Sequence, residues 1–149
     1  MDGTARASEN LRRVVDIFWE TIPPFWRMVH AHIREVAVEK FNIPVEQFHI
    51  LRHIRRGRDS VSALAEAKNI SRPAISQSVD LLVTRGLVIR AIDPHDRRHV
   101  KLSLTTDGNA LMDAVFGDTR KWMMKTLEPL SAGEIQALVC SMESLTKIL

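Results

Sequence analysis

The chain of 149 residues has one cysteine, Cys140. No intrachain disulfide can form, which fits a reducing compartment. No apolar run approaches the roughly 18 uninterrupted residues of a membrane span. The first residues, MDGTARASENLRR, lack the apolar core of a secretory signal. These absences give the expectation of a cytoplasmic protein. A phosphate-cradling glycine loop, a nucleophile elbow, an HExxH pair and paired cysteines at zinc spacing are also missing, so an enzyme ranks last among the functions considered. There is no internal repeat and no low-complexity segment. One domain is the default at this length, and 45% apolar residues support a globular chain with its own core.

What is present is unevenly placed. The net charge is a modest +3, yet residues 52–101 hold eleven Lys/Arg against five acids, while the remainder of the chain is net acidic. A positive field confined to the middle of a chain points to a polyanion contacted there.

Within that middle, residues 71–105 read SRPAISQSVDLLVTRGLVIRAIDPHDRRHVKLSLT. The first part predicts a helix. Ser71 stands where an N-cap should be, with a side-chain oxygen able to accept from the first turn. Pro73 falls in that first turn, where a missing N–H costs little. Ile75, Val79 and Leu82 recur at i, i+4, i+7 as one apolar face. Gly86 suits a left-handed residue after the last turn. Arg72, Ser76 and Gln77 lie off the apolar stripe near the N-terminal end, the layout of a recognition helix entering a major groove. LVIRAI and HVKLSLT then predict two strands around the turn DPHDRR. The tip carries Asp96, Arg97, Arg98 and His99. A solvated hairpin tip has the same composition, but its place directly after the helix favours a wing whose arginine suits a narrow minor groove.

Along the rest of the chain, residues 8–22 show an amphipathic helix pattern through Leu11, Val14, Val15, Phe18, Trp19 and Ile22. Pro23-Pro24 predicts a kink or a break, after which Phe25, Trp26, Val29, Ile33 and Val36 resume the stripe, to end near Lys40. One long kinked helix, or two nearly collinear ones, exceeds what a small core needs, and its spare end calls for a second copy. A linker at residues 42–44 leads to a helix over 45–56 with Phe48, Leu51 and Ile54 inward, closed by Gly57. Ser60 can cap VSALAEAK, and Asn69-Ile70 turns the chain into the Ser71 helix. After Thr105 a helix carries Leu111, Val115 and Trp122, with Gly108 and Gly117 weakening it locally. Pro129 ends it. Ser131 with Glu134 is a capping box opening a last helix striped by Ile135, Leu138, Val139, Met142, Leu145 and Leu149.

This order resembles the MarR family of bacterial transcription regulators. The most specific parts are LAEAKNISRPAISQSVDLLVTRGLVIR and DPHDRRHVKLSLTTDG, the latter holding an L-T-x-x-G run of Leu104, Thr105 and Gly108. The resemblance implies a mainly α fold: a winged helix-turn-helix with a two-stranded β-wing at 42–105, flanked by N- and C-terminal dimerisation helices at 1–41 and 106–149. It implies a homodimer on double-stranded DNA, each subunit placing a helix in a major groove and a wing in the flanking minor groove. Carried onto this chain, Ser71, Arg72, Pro73, Ser76 and Gln77 match recognition-helix contacts. Arg98 matches the wing-tip arginine, Asp96 the acid that holds it, and Arg97 would reach phosphate. Asp80 reads as structural; Arg90 is left between a wing acid and phosphate.

The resemblance also implies a repressor released by a small anionic or phenolic effector bound between the dimer helices and the winged unit. Candidates there are Trp19, Trp26, His30, His49, Arg52 and His53, although the tryptophans lie on apolar stripes and serve equally as core or dimer contacts. His49 and His53 have the i, i+4 spacing of metal ligands, with His30 and His32 nearby, but no supporting cysteine or carboxylate motif, and no metal or other cofactor is expected. Cys140 sits beside Val139 with no adjacent cation, so a buried structural thiol is expected over a redox sensor. A metal- or redox-responsive regulator and a winged-helix module that binds protein without DNA are the competing readings.

Overall fold

A computed structural model describes residues 2–92 and 100–148. Helix α1, Asp2–Phe41, is one continuous helix of 40 residues with Pro23 and Pro24 inside it, about 60 Å long at 1.5 Å per residue. No break occurs at the prolines. They leave the carbonyls of Trp19 and Glu20 without helical donors, but both residues are exposed on the protomer, where water can serve those carbonyls.

Helices α2 (Val45–Arg55), α3 (Val61–Lys68) and α4 (Arg72–Thr84) follow, then strands β1 (Val88–Ile92) and β2 (Val100–Leu104), then α5 (Thr106–Leu127) and α6 (Ala132–Thr146). The expected elements are all present, and the architecture is a mainly α winged helix-turn-helix. Ser60 caps α3 by accepting from the Ala63 N–H at 3.1 Å. Asn69 closes it in the left-handed region at φ 52°, which asparagine tolerates. Gly86 takes φ +69° directly after α4 and reverses the chain into the wing. The two strands pair antiparallel from Val88↔Leu104 to Ile92↔Val100. The Leu102 N–H donates to the Asp59 carbonyl at 2.7 Å, tying the wing's root to the stretch before α3.

One cluster of buried side chains joins these parts. Val29, Ile33 and Val36 of α1 meet Phe48, Leu51 and Ile54 of α2, Leu64 of α3, Ile75, Val79 and Leu82 of α4, and Met112 and Val115 of α5. Lys40 of α1 pairs with Asp118 of α5, and this bond holds the Asp118 carboxyl below its usual range. Ser131 and Glu134 form the expected capping box at α6, and the hydroxyl and backbone N–H of Ser131 lower the Glu134 carboxyl.

Two surfaces are left uncovered. The stripe that buries Val29, Ile33 and Val36 continues towards the N-terminus as exposed Leu11, Val15 and Phe18, and α6 has no buried residue. Cys140 lies on that helix. The expected buried thiol is therefore corrected: Cys140 is exposed on the protomer, its Sγ 3.6 Å from Gln136 Nε2, because the α6 stripe does not pack on its own chain. Among the described residues, no helix is long and apolar enough to cross a membrane.

Candidate nucleic-acid interface

The orientation of α4 is set by its buried edge. Ile75, Val79 and Leu82 are at most 2% exposed, and burying such a side chain contributes about 1.5–3 kcal/mol. That edge fixes the rotation of the helix about its axis. Arg72, Pro73 and Gln77 are consequently exposed and Ser76 is half-buried.

Ser71 is at the N-cap position with extended backbone, yet its side chain makes no capping hydrogen bond. The expected side-chain cap is thus corrected. Pro73 at the second helical position has no N–H, and the third donor, that of Ala74, is left without a side-chain acceptor. The first turn is left without an intrinsic side-chain acceptor. With Arg72 beside it, this positive helix end is suited to a phosphate oxygen.

Both flanks of α4 are tied down. Asp80 accepts a hydrogen bond from Nη1 of Arg90 on β1, which links α4 to β1. Asp80 has the structural contact expected of it; among the described residues Arg90 pairs with this helix acid, and the wing acids fall outside the described residues. At the other end, Arg85 Nη1 donates to the Asn42 carbonyl at 2.9 Å and reaches Gln47 Oε1 at 3.4 Å. This anchor to the α1–α2 corner was not read from the sequence. The left-handed Asn42 that exposes its carbonyl there carries only the weak signal of an asparagine after a helix.

Thr105 explains the L-T-x-x-G run. Its hydroxyl accepts from the Gly108 N–H at 2.9 Å, capping α5, and donates to the Gly86 carbonyl at 2.7 Å. A Cβ on Gly108 would stand 2.2 Å from the Leu87 carbonyl oxygen. Gly108 is thus a packing requirement at the wing's root, and not merely a weak point of α5. The expected wing residues Asp96, Arg97 and Arg98 fall in residues 93–99, outside the described residues.

The second set of candidates gathers at the seam between α1 and α2. The His30 ring sits edge-on to Trp26 with centroids 4.5 Å apart. Nε2 of His30 and Nε of Arg52 are buried without a hydrogen-bond partner among the described residues. Burial, then Arg52 and Arg34, push the His30 pKa down. His49 and His53 are lowered first by burial as well, and then chiefly by Lys68 and Arg58 respectively. Trp26 is half exposed, whereas Trp19 is 68% exposed and contacts Phe18, so the structure brings five of the six candidates near one another and leaves Trp19 apart. Among the described residues, no group of three or more His, Cys, Asp or Glu could hold a metal ion.

A model of the MarR family matches residues 41–99, the stretch from the end of α1 to the wing. The uncharacterised HTH-type transcriptional regulator YhbI of Bacillus subtilis is 29% identical over 117 residues, 78% of this chain and 76% of that protein. The HTH-type transcriptional repressor NicR of Pseudomonas putida is 35% identical over 83 residues; these are 56% of this chain and 52% of NicR, so the match spans about half of that relative. The transcriptional regulator Tm0710 of Thermotoga maritima superposes with a TM-score of 0.81 at 22% identity, covering 89% of this chain and 94% of that one. A MepR mutant of S. aureus bound to an oligodeoxyribonucleotide gives 0.63 at 22% identity, covering 87% and 99%. The chain is thus similar to MarR-family transcription regulators in sequence over its middle and in fold over most of its length.

Proposed function

We propose that this protein is a homodimeric repressor that reads a pseudo-palindromic operator and leaves it when a small aromatic effector binds. The observation that carries the DNA reading is the uncapped N-terminus of α4, with Arg72 and Gln77 exposed on a helix clamped by Asp80–Arg90 and Arg85–Asn42. Ser71, Pro73 and Ser76 complete the major-groove set, and Arg97, Arg98 and Asp96 are assigned to the wing. NicR, named a repressor, supports the sign of regulation.

The dimer rests on the two uncovered surfaces. A groove of about 500 Å³ between α1 and α6 is lined by Val14, Ile17, Phe18 and Ile22 on one side and Leu138, Met142 and Leu145 on the other. Extended apolar faces of this kind mark contacts with another chain, and a second copy supplies the same faces by symmetry. The effector site is assigned to the seam, where Trp26, His30, His49, Arg52 and His53 meet; Trp19 would join it only from the dimer side.

Selection of duplexes from a random pool by the full-length protein tests this reading. The expected product is a two-fold repeated motif with half-sites about one helical turn, 10–10.5 bp, apart. A pool that shows no enrichment, or a single unrepeated half-site, contradicts it.

A further inference from the structure

We propose that Arg85 is a spacing-determining residue: its side chain braces α4 against the end of α1 and so fixes which separation of two half-sites the protein accepts. This deepens the function proposed above and rests on its dimer and its DNA reading.

Among the described residues, side-chain bonds tie α4 to other elements only through its C-terminal half. Asp80 takes Arg90 of β1. Arg85, the residue that closes the helix, donates from Nη1 to the Asn42 carbonyl at 2.9 Å and reaches Gln47 Oε1 at 3.4 Å. The N-terminal half is placed by the apolar packing of Ile75.

Both acceptors belong to the corner between α1 and α2, and that corner is well fixed. Asn42 stands in the left-handed region at φ 49°. Its N–H donates to the Val38 carbonyl at 3.1 Å, and the next N–H, that of Ile43, donates to the Ala37 carbonyl at 2.9 Å. Ile43 is fully buried. Gln47 lies in the first turn of α2. The brace therefore joins the end of α4 to the end of α1 and the start of α2.

A hydrogen bond weakens steeply when bent, so the brace sets a direction as well as a distance. Apolar packing is non-directional, and helix pairs with similar contacts cross at angles scattered by about 15–20°. The length of α4 turns such an angle into a displacement. Its 13 residues place Arg72 about 20 Å from Arg85 at 1.5 Å per residue. A swing of about 10° at the braced end moves the other end by about 3.5 Å, close to the rise of about 3.4 Å per base pair. The turn of about 34° that accompanies one base pair is shared between two subunits and the twist of the DNA. In the proposed dimer α1 carries the contact between copies. With the brace, the distance between the two α4 N-termini is set; without it, each α4 can follow a half-site that lies one base pair nearer or farther.

A direct bond from Arg85 to phosphate has different consequences. Its loss would weaken binding equally at every spacing and lower the salt slope by about one. Loss of the brace flattens the spacing preference and leaves the salt slope as it was.

The test titrates the full-length protein onto labelled duplexes that carry the selected motif with its half-sites at the selected separation, one base pair closer and one base pair farther, at two salt concentrations. Wild type should prefer the selected separation by about tenfold or more, and Arg85→Ala by about threefold or less with an unchanged salt slope. Arg85→Met, which keeps the apolar stem and removes the donors, should behave alike, and it decides if the alanine variant does not fold. A wild-type preference retained in the variants, equal binding by wild type at all three separations, or a uniform loss of affinity with a shallower salt slope overturns the brace alone. A wild type that selects no two-fold motif refutes the proposed function, and the brace with it.

Discussion

Asp80 of α4 and Arg90 of β1 hold each other across the angle between that helix and the first strand of the hairpin. An acid on the helix proposed to lie nearest to phosphate would ordinarily repel DNA. Here its charge is met by an arginine whose other effect is to fix the strand leading to the wing. The Asp80 side chain is 58% exposed, so the pair contributes about 1 kcal/mol or less to folding. Its larger effect is geometric.

Replacing Asp80 with Ala separates the two effects. Removal of a negative charge alone predicts tighter DNA binding. The clamp predicts binding weakened several-fold, with a change in urea stability of about 1 kcal/mol or less. Asp80→Ala, Arg90→Ala and the double variant should be about equally impaired, since each breaks the same link. Titration of a selected duplex distinguishes these outcomes, and tighter binding by Asp80→Ala would refute the clamp.

Gly108→Ala brings a methyl group within 2.2 Å of the Leu87 carbonyl oxygen. That oxygen also accepts the Thr105 N–H at 3.1 Å, so retreat breaks the bond that joins the wing's root to α5. The expected loss is about 2–4 kcal/mol of stability, read by denaturant unfolding. Gly117, with nothing within 4 Å of a Cβ, should tolerate the same change or gain slightly from it.

Val15 and Phe18 are 47% and 42% exposed on a protomer. A solitary chain should accept Val15→Glu/Phe18→Glu with little effect. The proposed dimer should dissociate, because two carboxylates per chain would enter an apolar contact. Sedimentation of both proteins gives the answer, and an intact dimer in the variant would show that the α1 end lies outside the interface.

Much of the fold was legible because its signals are local. The spacing of Ile75, Val79 and Leu82, the punctuation at Gly86 and the Ser131–Glu134 box each act within a few residues, and the structure has them in place. What was misread depends on neighbours distant in sequence. Gly108 reads as a weak helix residue until Leu87 is placed against it. Cys140 reads as buried because an apolar stripe does not say which chain covers it. The Arg85–Asn42 anchor joins residues 43 positions apart, which no periodicity reports.

In the proposed function, the exposed face of α4 and the wing grip the phosphates of a duplex. Titration of a labelled selected duplex at about 50 and 200 mM salt tests it most directly. Wild type making roughly 6–10 phosphate contacts should lose about 10³–10⁵ in affinity between these conditions. Arg72→Ala should bind more weakly with a shallower salt slope, and Arg98→Ala should in addition lose preference for A·T-rich flanks. Wild-type binding that ignores salt, or affinity and preference unchanged in both variants, would contradict the account.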